Sequence, residues 1–349
     1  MTRSLEFDFM EIDCIHFYVV DATKTLDLLV AQMGLQNLGE RSNEHTIEYL
    51  VGNSHLLFSI SSPLSLASPV AEYLKLHPSG VKDVSFRVAD LAEIRRKIER
   101  LEIEIVAVSS ELDRLPWLRI QSWGAIEHTI IQAPLEQIPD LFVPNQTISG
   151  IDHIVLNVGV GELELATLWY QNLFDFQVQQ TFDIQTQKSG LVSKALISSC
   201  GKIRFNINEP TSVNSQIQEF LDINRGAGIQ HIALQTNSIL ETIDKMQQQH
   251  LAFLPIPQTY YVNLQSRART EQNLILTNDE WQQLEQLQIL IDWSTSTPEE
   301  ILLQIFTQPI FESPTFFFEV IERRNRAKGF GQGNFQALFE AIEQYNTPI

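Results

Sequence analysis

The sequence predicts an α+β protein made of one strand-and-helix unit written twice, and three observations carry that prediction. EIDCIHFYVVD at residues 11–21 is matched by GIDHIVLNVGV at 150–160, each an alternating strand leading into a helical pattern. GVKDVSFRVADLAEIRRKI at 80–98 is matched by GIQHIALQTNSILETIDKM at 228–246, so two separate segments recur in the same order. Between the copies lies QIPDLFVPNQTISG at 137–150, with two prolines and turn-forming residues, and the repeat restarts directly after it. Chance similarity between two α/β stretches would not be expected to preserve that order.

Each half therefore reads strand, helix, several strands, then strand, helix and more strands, with domains expected at 1–145 and 150–349. In the second half Leu163, Ala166, Trp169, Tyr170 and Leu173 recur at helical spacing after the first strand. Extra elements follow. TNDEWQQLEQL opens with Thr277 and Glu280 in capping-box spacing and predicts a helix. ILIDW and ILLQIFTQ flank STSTPEE and predict a hairpin. NFQALFEAIEQY predicts a final amphipathic helix through Phe335, Leu338, Phe339 and Ile342.

The 349 residues suffice for two cores of ordinary size. A formal charge of -19 argues against nucleic acid, whose phosphates need clustered Lys and Arg, and requires a local positive centre for any anionic substrate. Two cysteines, Cys14 and Cys200, are too few for a disulfide framework or a thiolate metal site. The N-terminus has acidic residues early and no signal-like apolar run, and no stretch approaches the roughly 18 apolar residues of a membrane helix. The expectation is a cytoplasmic protein with neither nucleic acid nor membrane as partner.

The two copies differ where chemistry would sit. Cys14 in the first strand becomes His153 in its repeat, and Asp83 becomes His231. A lone strand histidine is usually a satisfied core residue, but two at corresponding places in one half is a stronger signal. A carboxylate joins them in PTFFFEVIER. There the alternation puts Phe316, Phe318 and Val320 on one face, and Phe317, Glu319 and Ile321 on the other. Glu319 thus stands in an apolar row, where a charge needs compensation. The alternative is a sheet-edge glutamate paired with Arg323 or Arg324. Two histidines and a carboxylate on three strands form the facial triad of non-haem Fe(II) enzymes, with Zn²⁺ the chief competitor. With Fe(II) the set carries a net positive charge, the attractor that a carboxylate substrate needs. GFGQGNF also follows a strand, but only 16 residues remain after Gly333 and no P-loop Lys follows, so it suits a loop closing a pocket better than a nucleotide site.

The chain resembles the vicinal oxygen chelate superfamily, and its second half resembles the 4-hydroxyphenylpyruvate dioxygenase family within it. GIDHIVLNV, WYQNLF, INEP, SQIQ, GAGIQHIAL, TYYVNL, ILLQIFTQP, PTFFFEVIER and GFGQGNFQALFEAIE carry the resemblance in family order over most of residues 150–343. The first half matches loosely. The resemblance implies two domains of paired βαβββ units, each an open barrel-like sheet, with a C-terminal helix covering the second. It implies Fe(II) held by His153, His231 and Glu319. It also implies catalytic roles for Gln230, Gln304 and Asn334, and a substrate site formed by Ser193, Asn208, Gln216, Phe306, Phe317, Phe330, Phe335 and Leu338.

The implied reaction converts a small aromatic α-keto acid, 4-hydroxyphenylpyruvate, and O₂ to homogentisate and CO₂, in a dimer or tetramer whose contacts fall to the first half. One departure bears on product. Asn206 in FNINEP replaces a family proline that the sister enzyme hydroxymandelate synthase also lacks, whereas Phe335 is retained. Two other classes remain open. An extradiol ring-cleaving dioxygenase would need a further histidine as acid or base near the metal, and His250 and the first-half histidines are poorly placed. His128 reads as structural. A metal-free binding module would have no use for all three ligands.

Overall fold

The computed structural model describes residues 10–110, 113–133, 147–185, 190–271, 276–294, 296–334 and 337. The first half runs β1 (Met10–Tyr18), α1 (Ala22–Asp27), β2 (Gln36–Ser42), β3 (Thr46–Gly52) and β4 (Leu57–Pro63). It continues with α2 (Pro69–Leu76), β5 (Gly80–Val88), α3 (Leu91–Arg100), β6 (Ile105–Val108), β7 (Trp117–Gln121) and β8 (Glu127–Gln132). The second half repeats this as β9 (Ile148–Asn157), α4 (Leu163–Phe174), β10 (Gln177–Gln185), β11 (Gly190–Ile197) and β12 (Arg204–Pro210). Then come α5 (Gln216–Asn224), β13 (Gly228–Thr236), α6 (Ile239–Gln248), α7 (Gln258–Glu271), α8 (Asn278–Gln286), β14 (Leu290–Ser294), β15 (Thr297–Phe306) and β16 (Phe317–Arg323).

The duplication is explicit in the topology. The first sheet is ordered β2-β3-β4-β1-β5-β8-β7-β6 and the second β10-β11-β12-β9-β13-β16-β15-β14, the same order strand for strand. In each, two βαβββ units join through one central antiparallel pair, β1 with β5 and β9 with β13. Each sheet is eight-stranded and mixed, with the paired βαβββ units that the resemblance implies. The join expected at 137–150 lies outside the described residues except for its last four positions, and the final helix with Phe335 and Leu338 lies outside them too.

Period-two alternation places the core. Ile154 and Leu156 of β9 enter the main apolar core, leaving His153, Val155 and Asn157 on the other face. Helix α4 covers the core face with Ala166, Tyr170 and Leu173, as the helical spacing requires. That core runs through both sheets, and Phe17 of β1 meets Phe316 and Phe318 edge-on. The Tyr170 hydroxyl donates to Nε2 of the fully buried His128, 3.0 Å away, while His128 Nδ1 donates to the Val84 carbonyl. His128 is therefore a structural link, as expected. Thr277 caps α8 by accepting from the Glu280 amide, and β14 and β15 form the expected hairpin, although β15 already begins at Thr297. Among the described residues no helix is long and apolar enough to cross a membrane.

Candidate metal centre

Three adjacent strands, β9, β13 and β16, bring His153, His231 and Glu319 together. Strand β16 lies between β13 and β15, so Glu319 is interior and the sheet-edge alternative is excluded. His153 Nε2 lies 3.3 Å from Glu319 Oε2, and His231 Nε2 lies 3.6 Å from the same oxygen. One ligand atom from each residue falls within 4.8 Å of the others, and among the described residues no other group of three such side chains meets this way. Two nitrogens and one carboxylate oxygen converging in a buried spot are the donor set of a divalent transition metal. The fit is reinforced by Glu319, 1% exposed, whose charge has protonated His153 as its nearest compensation.

Two β-bulges set these orientations. Strand β13 pairs Ile229 with Leu156 and then His231 with Val155, which leaves Gln230 as an extra residue. Gln230 and His231 consequently both face the same cavity, which strict alternation would forbid. On β9 the pairing jumps from His153–Ala233 to Ile151–Leu234, which leaves Asp152 unpaired with β13. Asp152 then accepts from His153 Nδ1 at 2.9 Å and from Arg323 Nε and Nη2, each at 2.7 Å. This brace fixes the ring so that Nε2, not Nδ1, faces the ligand cluster. Arg323 also donates to the Ala327 and Gly329 carbonyls, tying down the glycine loop. His231 has no such brace. Its Nδ1 lacks a partner, and the ring is held by stacking on Phe317 at 4.8 Å and 17°.

The metal-free electrostatics are asymmetric in the same way. Burial pulls the His153 imidazole down, but the Glu319 charge and the Asp152 hydrogen bond override it and raise its pKa to about 9. Burial and then the His153 charge hold His231 well below its ordinary value. Burial opposes ionisation of Asp152, yet the Arg323 hydrogen bonds keep its carboxyl well below the usual range. A metal must displace the His153 proton, so apparent affinity should rise about tenfold per pH unit from pH 6.5 until it levels near 9. Over the same window the metal-free fold loses stability: the raised pKa stabilises it fully below 6.5, and that contribution disappears as pH passes 9. Metal titrations and urea midpoints from pH 6 to 9.5 check both signs.

His153, His231 and Glu319 line a cavity of about 60 Å³. Of the expected residues, Ser193, Asn208, Gln216, Gln230, Gln304, Phe306, Phe317 and Phe330 line it. Asn334 does not. It stands behind Gln304, donating to its Oε1 at 2.9 Å and accepting from the Tyr260 hydroxyl at 2.8 Å. Gln304 Nε2 in turn donates to Glu319 Oε1 at 2.8 Å. The chain Tyr260–Asn334–Gln304 therefore holds the Glu319 carboxylate in place. Gly331 allows this packing, because a Cβ there would fall 1.8 Å from Gln304 Oε1 and its φ is +74°.

Comparison with known proteins agrees with the fold. Residues 150–273 match the family model of the glyoxalase/bleomycin resistance protein/dioxygenase superfamily. A 4-hydroxyphenylpyruvate dioxygenase from Dictyostelium discoideum is 31% identical over 363 residues, covering 95% of this chain and 97% of that protein. The chain belongs to the 4-hydroxyphenylpyruvate dioxygenase family. An uncharacterized protein of Synechocystis sp. is 39% identical over 334 residues, 96% of this chain and 97% of the relative. A mutant of 4-hydroxymandelate synthase from Streptomyces coelicolor shares the fold, with a TM-score of 0.85 at 23% identity over 97% of this chain and 99% of that one.

For a member of the 4-hydroxyphenylpyruvate dioxygenase family, several site residues escaped sequence reasoning. Val155, Ile184, Leu191 and Ile217 line the cavity but read as ordinary strand or helix apolar positions. Asn206, singled out only as a departure from the family, is also in the wall, and its buried Oδ1 has no partner. Asp152 and Arg323 went unassigned. The first half keeps Asp13 beside Cys14, and Asp13 is likewise braced by an arginine, Arg87.

Proposed function

We propose that this chain is an Fe(II)-dependent dioxygenase that converts 4-hydroxyphenylpyruvate and O₂ to homogentisate and CO₂. The observation that carries the reading is the meeting of His153, His231 and Glu319 in the wall of a cavity that phenylalanines and side-chain amides also line. Fe(II) held by these three would supply O₂ activation and leave coordination positions for the α-keto acid. The remaining work belongs to the protein. Phe306, Phe317 and Phe330 present apolar walls to an aromatic ring, while Ser193, Asn208, Gln216 and Gln230 can hydrogen-bond a phenol and keto acid without adding charge. Gln304 holds Glu319 still. Residues 150–349 form the catalytic domain in this reading, and residues 1–145 a structural one suited to self-association.

Protein reconstituted with Fe(II) and given the keto acid should consume one O₂ per CO₂ released and accumulate homogentisate. Absence of stoichiometric iron, or of CO₂ release, would sink the reading. Asn206 supports a second product reading. An unpaired acceptor in the wall is a group that can hold the ring or side chain differently, and the outcome would then be 4-hydroxymandelate. Chromatography of the same reaction mixture separates the two.

A further inference from the structure

Behind Phe330 lies a second cavity, of about 490 Å³, whose only wall residue in common with the metal pocket is Phe330. That ring stands at 89° to the His153 ring, with centroids 5.2 Å apart, and the Arg323 guanidinium carbon lies 5.8 Å from its centroid. The glycines on either side, Gly329 and Gly331, have φ of +83° and +74°.

The charge of this second cavity is opposite to that of the protein. Arg204, Arg323, Arg326 and Lys328 line it, and no acidic side chain does so among the described residues. Acidic residues outnumber basic ones 43 to 24 in the whole chain, so a wall with four cations runs against the general composition. Compensation is incomplete. Asp152, beneath the wall, pairs fully with Arg323 and lies 3.6 Å from Arg204 Nη1. Arg326 and Lys328 are exposed and make no ion pair with a described residue. The loop is built to present them: Arg323 pins the Ala327 and Gly329 carbonyls, and Asn325 and Arg326 take left-handed φ of 51° and 64°, which side chains adopt only at a cost. Gln179 and Gln235 add neutral amide donors to the same wall.

We propose that this cavity is a second ligand site, for a small oxyanion, distinct from the metal pocket and separated from it by Phe330. Guanidinium forks and an ammonium suit carboxylate and phosphate oxygens alike, and the space admits either with part of its hydration shell. The site would gather anions beside the metal pocket of a strongly acidic protein. It stands independently of the dioxygenase reading, since it needs neither iron nor turnover.

The test is calorimetric titration of metal-free protein at fixed ionic strength, with inorganic phosphate and separately with phenylacetate, on the wild type and on the double variant Arg326→Ser, Lys328→Ser. At least one anion should bind saturably to one site, and the double variant should weaken it by about tenfold or more. The variant's own melting temperature should match the wild type's, because both side chains are exposed. The tighter anion names the class, phosphate-like or carboxylate. The proposal is overturned if neither anion saturates by about 10 mM, or if the double variant binds as well as the wild type.

Discussion

Replacing Glu319 by glutamine should abolish stoichiometric iron binding and lower turnover of 4-hydroxyphenylpyruvate by about a thousandfold or more. The substitution keeps volume and shape and still accepts the hydrogen bond from Gln304 Nε2, so what it removes is charge and one coordinating oxygen. In the wild type that charge is buried in a row with Phe317 and Ile321, at 1% exposure, and only a cation makes such burial economical. Stability separates a metal ligand from a merely buried glutamate. Saturating Fe(II) should raise the wild-type melting temperature, because the ion binds the folded state alone, and should leave the variant unmoved. A variant that still carries one iron per chain would remove Glu319 from the ligand set and with it the proposed chemistry.

Replacing Arg323 by methionine should cost about 3–5 kcal/mol of folding stability, read from urea denaturation. The methionine fills space but leaves the buried Asp152 carboxylate without its bidentate partner and frees two loop carbonyls. Arg204, 3.6 Å from Asp152, compensates in part, which places the expected loss toward the lower end of that range. Metal affinity should fall as well, by about 10–100-fold, because the brace that orients His153 is gone. A stability loss below about 1 kcal/mol would mean that the pair acts as an exposed salt bridge does, contrary to its burial.

What could be read in advance followed the chemistry of residue types. The repeat was legible because strand alternation and helical spacing recur, and the sheets reproduce it strand for strand. His153 and His231 stood out because the other half fills their positions with Cys14 and Asp83, and Glu319 because it interrupts an apolar row. The brace was not legible. Asp152 and Asp13 both read as polar residues of a strand, and nothing in a one-dimensional pattern reveals the bulge that turns Asp152 toward its own neighbour's ring. Asn334 was read as catalytic from the resemblance alone, and no sequence pattern showed that its amide bonds Gln304 and Tyr260. Ile184, Leu191 and Ile217 were indistinguishable from core, because a cavity wall and a packed interior use the same apolar side chains.

The first half gives the brace a different meaning. There the bulge recurs at Asp13, between Ile12 and Cys14, and Asp13 again holds an arginine, although Arg87 comes from β5 and not from the strand equivalent to β16. Cys14 stands where His153 would be oriented, and Asp83, in the place of His231, is engaged by Ser85 and Thr129. A pairing present where no ligand set accompanies it, and made with an arginine from another strand, serves the kinked strand itself. The same fastening therefore secures a bulged strand in both halves, with a metal-ligand cluster beside it only in the second among the described residues.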